Sequence, residues 1–360
     1  MTNPSANAPL QTRRDLMIAM AIAGVASSLN PLFGTIGHAA TSSSNARDWD
    51  WLVGSWDVWH RRLKERLAGS NDWEEFNGKS VGWLILDGWG NVDDNIVDIP
   101  SGTYRGLTVR AFDPATRTWA IWWLDGRNPT QMDVPVRGSF DGDSATFVAN
   151  DHFKGRPIIM RFRWLDVHSK RPHWEQAFST DGGKTWEVNW VNFFTRTDAN
   201  PASLPKLDDA SGDFDFLAGS WQVRNRRWDA ATQRWREFDS TLSNRSVLGG
   251  HGNVGDNLFQ MPGAEYRGVS VRSFDRDKRE WLSWWLDGRK PASFTAPLRG
   301  SFKDGVGTLL GDDELDGKAI KVRSQWSRIT AASAHWEQAA SLDGGKTWQT
   351  NWVADFARRT

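Results

Sequence analysis

The sequence predicts an all-β protein of two tandem antiparallel up-and-down β-barrels, about eight to ten strands each, with a pair of β-sandwiches as the alternative. Three observations carry this. The chain repeats itself: "DWDWLVGSWDV" (48–58) returns as "DFDFLAGSWQV" (213–223), "YRGLTVRAFD" (104–113) as "YRGVSVRSFD" (266–275), and "HWEQA" (173–177) at 335–339. From Tyr104 and Tyr266 onward the offset holds at 162 residues, too long for a solenoid or a propeller blade, so a whole domain is duplicated. Within each copy, short segments of alternating character are separated by turn residues, with almost no helical period. So many consecutive antiparallel strands leave exposed edges unless the sheet closes on itself.

The elements follow in order. Residues 1–40 read as an export signal: Arg13 and Arg14 stand directly before an apolar run from Leu16, and "GHAA" offers small residues near a cleavage point. The twin arginines resemble a bacterial Tat signal, which implies a periplasmic or secreted protein. The apolar run is too short for a membrane span, and none is expected in the mature protein. The first barrel repeat is placed at 48–197, with strands near 54–63, 73–86, 103–112, 118–126, 132–140, 144–150, 156–165, 172–179 and 185–195. Residues 198–212, rich in Pro, Ala, Ser and Asp, read as a linker, and 213–360 as the second repeat.

Composition excludes several classes of function. Lys plus Arg and Asp plus Glu both number 44, so no global charge favours nucleic acid. The absence of cysteine removes disulfides, thiolate catalysis and Cys-ligated metals. Tryptophan is over-represented, at 24 residues, and serves as core, hairpin support or ligand platform.

"STDGGKTW" (179–186) and "SLDGGKTW" (341–348) fit S-x-D-x-G-x-T-W, which resembles the Asp-box of sialidases. A six-bladed sialidase would repeat such a box at about fifty-residue spacing; here the two lie a domain apart. Asp181 accepts backbone N–H groups, Gly182 and Gly183 supply positive φ, and Trp186 covers the return strand. The motif specifies a turn, and a sialidase is rejected.

"WLVGSW" and "FLAGSW" resemble the G-x-W start of the first strand in lipocalin-like barrels, the calycins, and "DGGKTWxxNW" is similar to an uncharacterised bacterial family of β-barrel domains of unknown function. The resemblance implies a fold more than an activity. Some relatives of this architecture bind fatty acids and the nitrobindin-like ones carry haem, so haem enters by fold analogy only; no cofactor and no metal site is expected from the residues.

Strand alternation places Tyr104, Arg110, Trp123, Asp125 and Arg127, with their counterparts Tyr266, Arg272, Trp285, Asp287 and Arg289, on inward-capable faces as ligand-binding candidates. Arg suits a carboxylate, Tyr and Asp suit hydroxyls, and Trp an apolar or sugar face. His173 with Glu175, and His335 with Glu337, form the pairing a general base needs. The expectation is therefore an exported binder of a small carboxylated or hydroxylated molecule. The alternatives are a cofactor-free lyase, isomerase or hydrolase using the His–Glu/Arg site, and a packed pseudo-dimer of barrels. Because i and i+2 residues on any strand are neighbours, a ligand-free polar network across the barrel is the competing structural explanation. His60 (opposite Asn225), His251 (opposite Trp89) and His152 (opposite Glu314) differ between the copies and read as solvated residues. "GNVDDN" (90–95) and "GNVGDN" (252–257) read as turns at the barrel mouth.

Overall fold

The computed structural model describes residues 45–261, 263–315 and 317–359; the expected signal segment, 1–40, lies outside them. Two closed ten-stranded antiparallel barrels follow one another along the chain. The first runs β1 (Gly54–Leu63), β2 (Trp73–Ile85), β3 (Gly90–Ile99), β4 (Gly102–Asp113), β5 (Thr118–Asp125), β6 (Val136–Asp141), β7 (Ser144–Phe153), β8 (Arg156–Leu165), β9 (His173–Ser179) and β10 (Glu187–Asp198). The second runs β11 (Gly219–Asp229), β12 (Arg234–Val247), β13 (Gly252–Met261), β14 (Ala264–Asp275), β15 (Glu280–Asp287), β16 (Leu298–Lys303), β17 (Val306–Leu315), β18 (Lys318–Ser327), β19 (Ser333–Ser341) and β20 (Gln349–Arg358). Each strand pairs with the next, and β1 closes on β10 as β11 closes on β20. Closure gives every strand two neighbours and leaves edges only where β5–β6 and β15–β16 pair over three residues each.

The repeated "GSW" marks the base of each barrel. A 3-10 turn, Asp50–Leu52 or Asp215–Leu217, crosses that end. Trp56 Nε1 donates to Leu52 O at 2.9 Å, and Trp221 repeats the bond to Leu217 O at 2.9 Å. Trp49 is fully buried against Trp119, Phe140, Phe147 and Trp164, forming an aromatic plug under the first barrel. Much of the tryptophan excess is spent here and not on a surface.

"GNVDDN" is not a turn. It forms the first half of β3, as "GNVGDN" forms that of β13, and Asn91, Asp93 and Asp94 are buried. The strand was missed because it carries polar groups on both faces, so it shows no apolar alternation. Asn91 and Asp93 bond into the barrel while Asp94 faces outward into a second buried layer.

That second layer is the contact between the barrels. Val92, Leu107, Val109, Trp122 and Leu124 of the first barrel share one apolar cluster with Val254, Val269, Val271, Trp284 and Leu286 of the second. The contact has a pseudo-two-fold: Asp94 accepts from Leu248 N (3.0 Å) and its counterpart Asp256 accepts from Leu86 N (3.1 Å). The connecting segment is docked against this contact. Leu207 N donates to Gly249 O (2.8 Å), Pro205 O accepts from Arg105 (2.8 Å), and Asp209 lies 3.1 Å from His251.

Candidate binding site in the second barrel

The second barrel encloses a cavity of about 260 Å³. Phe259, Trp285, Trp326, Trp336, Trp352 and Phe356 supply its aromatic wall, and Asn225, Ser240, Asn257, Ser270, Arg272 and Gln338 its polar points. Side-chain alternation explains the lining: residues two apart on β11, β18 and β20 (Val223, Asn225, Arg227; Ile320, Val322, Ser324; Trp352, Ala354, Phe356) turn to one side. The ring of Trp285 lies where a Cβ on Gly268 would come within 2.2 Å of it, and Trp123 lies likewise over Gly106 at 2.1 Å. A glycine on the neighbouring strand therefore makes room for each mouth tryptophan.

Arg272, on β14, lies at the base of this cavity and is buried. Its Nη1 donates to Asn253 Oδ1 (2.8 Å), and its guanidinium faces the rings of Phe214 (5.0 Å) and Trp326 (5.7 Å). No carboxylate pairs with it among the described residues, and burial alone pulls its pKa down to about 10. The matching Arg110 is built differently. It pairs with Asp93, which also accepts from Thr108 Oγ1 (2.7 Å) and Asn95 (2.8 Å), and it lies 4.3 Å above Trp49. Burial lowers the Arg110 pKa and Asp93 opposes the shift. The counterpart of Asp93 is Gly255, so the second barrel keeps the buried cation and lacks its counter-ion.

The other candidates fall into two groups. Tyr104, Asp125 and Arg127 meet at the opposite end of the first barrel. Asp125 holds Arg127 by a forked pair (Nε–Oδ1 2.9 Å), which lays the guanidinium 3.7 Å above the Tyr104 ring. Tyr266, Asp287 and Arg289 repeat this with 2.9 Å and 3.8 Å. Burial raises both tyrosine pKa values. These groups bind each other as a clasp at the barrel mouth, whereas Arg110 and Arg272 lie at the base, so the repeated set does not converge on one point.

His173, Glu175, His335 and Glu337 do not face the lumen, correcting the expected orientation. On β19 it is Trp336 and Gln338 that line the cavity. On β9 Trp174 packs on Phe162 and Trp190, and Gln176 bonds Asn189 (2.8 Å). The apolar set of "HWEQA" took the inside because burying Trp is worth more than burying His and Glu. Glu175 instead meets Arg163 (3.2 Å), Glu337 meets Arg323 (3.1 Å), and His335 meets Asp355 (2.6 Å) on the outer wall.

His60 is the residue that sequence reasoning misplaced most. It is buried in the first lumen, stacked on Phe76 at 4.9 Å, with Nδ1 between Asn192 Oδ1 (2.7 Å) and the Trp190 indole N–H (3.3 Å). Burial drives its pKa down to about 4, so it is neutral at physiological pH. The available signal was its partner Gly78, whose Cβ would lie 2.6 Å from His60 Nε2; the second copy has Asn225 bonded to Ser240 (2.7 Å) at those positions. His251 is buried under Asp209, and only His152 is exposed as expected.

Residues 214–349 match a family described as protein of unknown function (DUF1579). No curated protein matches the chain. Among solved structures, the chain is similar to an S-type phycobiliprotein lyase, CPES, from Guillardia theta (14% identity, TM-score 0.30, covering 41% of this chain and 90% of that one). It is also similar to a DUF3598-family protein of unknown function from Nostoc punctiforme (10%, TM-score 0.24, covering 86% and 98%). A third similar structure is transferrin binding protein B from Haemophilus parasuis (8%, TM-score 0.19, covering 85% and 76%).

Proposed function

We propose that the protein is an exported small-molecule binder whose ligand occupies the lumen of the second barrel. The observation that carries this is the aromatic-walled cavity of about 260 Å³, mostly apolar with a few polar points as small-molecule sites are, and just under their usual range of roughly 300–1,000 Å³, which suits a compact ligand. The copies support the assignment by their differences. Ser283, Val322 and Ser324 line the second lumen, while the first carries Ile121, Met160 and Phe162 there, packed with its aromatic core. The first barrel is the filled scaffold and the second the working one. Export rests on the Arg13–Arg14 signal and makes the protein periplasmic or secreted. The geometry gives the His–Glu enzyme reading no support, because neither pair reaches a lumen.

The test is thermal denaturation of the full chain with sugars, aromatic acids, fatty acids and haem. A bound ligand raises the midpoint in proportion to ln(1 + [L]/Kd). The shift should vanish in the Ser283→Ile/Ser324→Phe variant, which copies the filled lumen. No shift from any class, or a shift that survives the filling, rejects the reading.

A further inference from the structure

We infer that the ligand is an anion, a carboxylate in the first instance, bound by Arg272 at the base of the second barrel, and that the first barrel is closed to such ligands by Asp93. This rests on the second lumen being a binding site and adds the chemical class it takes. A guanidinium removed from water without a counter-ion is costly, and a chain that duplicated this arginine had a ready remedy in the first copy. There Asp93 neutralises Arg110, and the residues at the positions of Asn244 and Leu242 are the smaller Gly82, opposite Asp93, and Ser80, opposite Asn95. In the second copy Leu242 and Asn244 crowd the same place. A Cβ on Gly255 would lie 2.8 Å from Ser270 Oγ, 2.9 Å from Leu242 Cδ1 and 3.0 Å from Asn244 Nδ2. The internal carboxylate has been given up and side-chain ends stand in its place, while the cation and its enclosure stay.

Arg272 is also only partly occupied. Nη1 is held by Asn253, itself braced by Asn244 Nδ2 (3.1 Å). The other guanidinium nitrogens have no hydrogen-bond partner among the described residues, and the residue is 8% exposed where it lines the cavity. A planar carboxylate matches the open side of a guanidinium in charge and fork geometry. The acids at the far rim, Asp312, Asp313 and Glu314, are exposed, so water screens them. The anion therefore goes in first, with the ligand's body along the tryptophans.

The experiment uses two matched pairs on the full chain, naphthalene-2-carboxylate with its amide and decanoate with decanol, titrated by calorimetry and tryptophan fluorescence at neutral pH. At least one acid should bind once per chain and about tenfold or more tighter than its neutral partner, the order expected of a charge-assisted bond. Arg272→Met should erase that preference while leaving the neutral affinity in place. Gly255→Asp with Leu242→Ser and Asn244→Gly, which rebuilds the first copy's ion pair, should do the same with the arginine present, guarding against a folding artefact in either variant. Acid and neutral partner binding equally well would overturn the anion assignment and leave the lumen reading standing. Two acids per chain would overturn the exclusion of the first barrel. No binding by any of the four overturns the anion assignment, and the lumen reading is then decided by the thermal screen.

Discussion

Two arginines at one aligned position make opposite predictions. Arg110→Met strands Asp93 in a dry interior and should cost about 3–5 kcal/mol, as breaking a buried pair does. Arg272→Met removes one bond to a neutral amide and two ring contacts, but also a buried charge with no counter-ion. It should fall within about 1 kcal/mol of the parent, or above it. Urea unfolding of both variants checks the contrast; equal losses would mean Arg272 is compensated after all. At this scale the sequence was readable for identity and not for direction. Arg272, Trp285 and their counterparts could be named from the repeat, whereas the side that His173 and Glu175 take is decided by what lies across the sheet. His60 was hidden because a histidine in isolation carries no sign of burial; only the His60–Gly78 against Asn225–Ser240 exchange does.

Among the elements, the clearest case is the Asp-box turn. Asp181 accepts from Lys184 N (3.0 Å), Thr185 N (3.0 Å) and Thr185 Oγ1 (2.6 Å), and Ser179 Oγ accepts from Gly183 N (2.8 Å). These bonds hold the Asp181 carboxyl well below the usual carboxylate range, Thr185 contributing most, and Asp343 repeats the pattern. Asp181→Ala should speed hydrogen exchange at Lys184 and Thr185 and leave β1 amides unchanged. Unaltered exchange in the turn would refute the local role. This element was legible because its chemistry is local, contained in eight consecutive residues. The strands β3 and β13 were not, because their two buried faces are created by a lumen and by a second barrel that no local window contains. The doubled domain and its closure were legible from the repeat and the turn spacing.

For the whole molecule, the barrel contact is where pH acts. Burial raises Asp94 to about 7 and Asp256 to about 6. An acid whose folded pKa lies above its unfolded value near 3.9 binds its proton more tightly in the native state. Stability from this pair is therefore gained as pH falls through about 7 and 6 toward 4, and lost as pH rises through that window. His60, neutral and buried, works the other way between 6.5 and about 4, so the pair is isolated by comparison with Asp94→Asn/Asp256→Asn. Asn keeps an acceptor for Leu248 N and Leu86 N and cannot ionise. The double variant should gain on the parent from pH 4 to about pH 7 in calorimetric melting, by up to about 1.4 kcal/mol at each site for every step of one in pH, the Asp256 part levelling off near 6, the Asp94 part near 7, and the difference flat above that. A constant difference across that range would show that the two carboxyls do not titrate there.

The outer side of β4 and β14, covered by the neighbouring barrel, has one more meaning. A tube of strands ordinarily keeps water along its outside, so either half alone should be a self-sufficient object. Here Leu107, Val109, Val269 and Val271 would be stripped bare by separation, an oily flank on each half. Neither copy could be removed without leaving its companion sticky, so the two barrels stand or fall as one body.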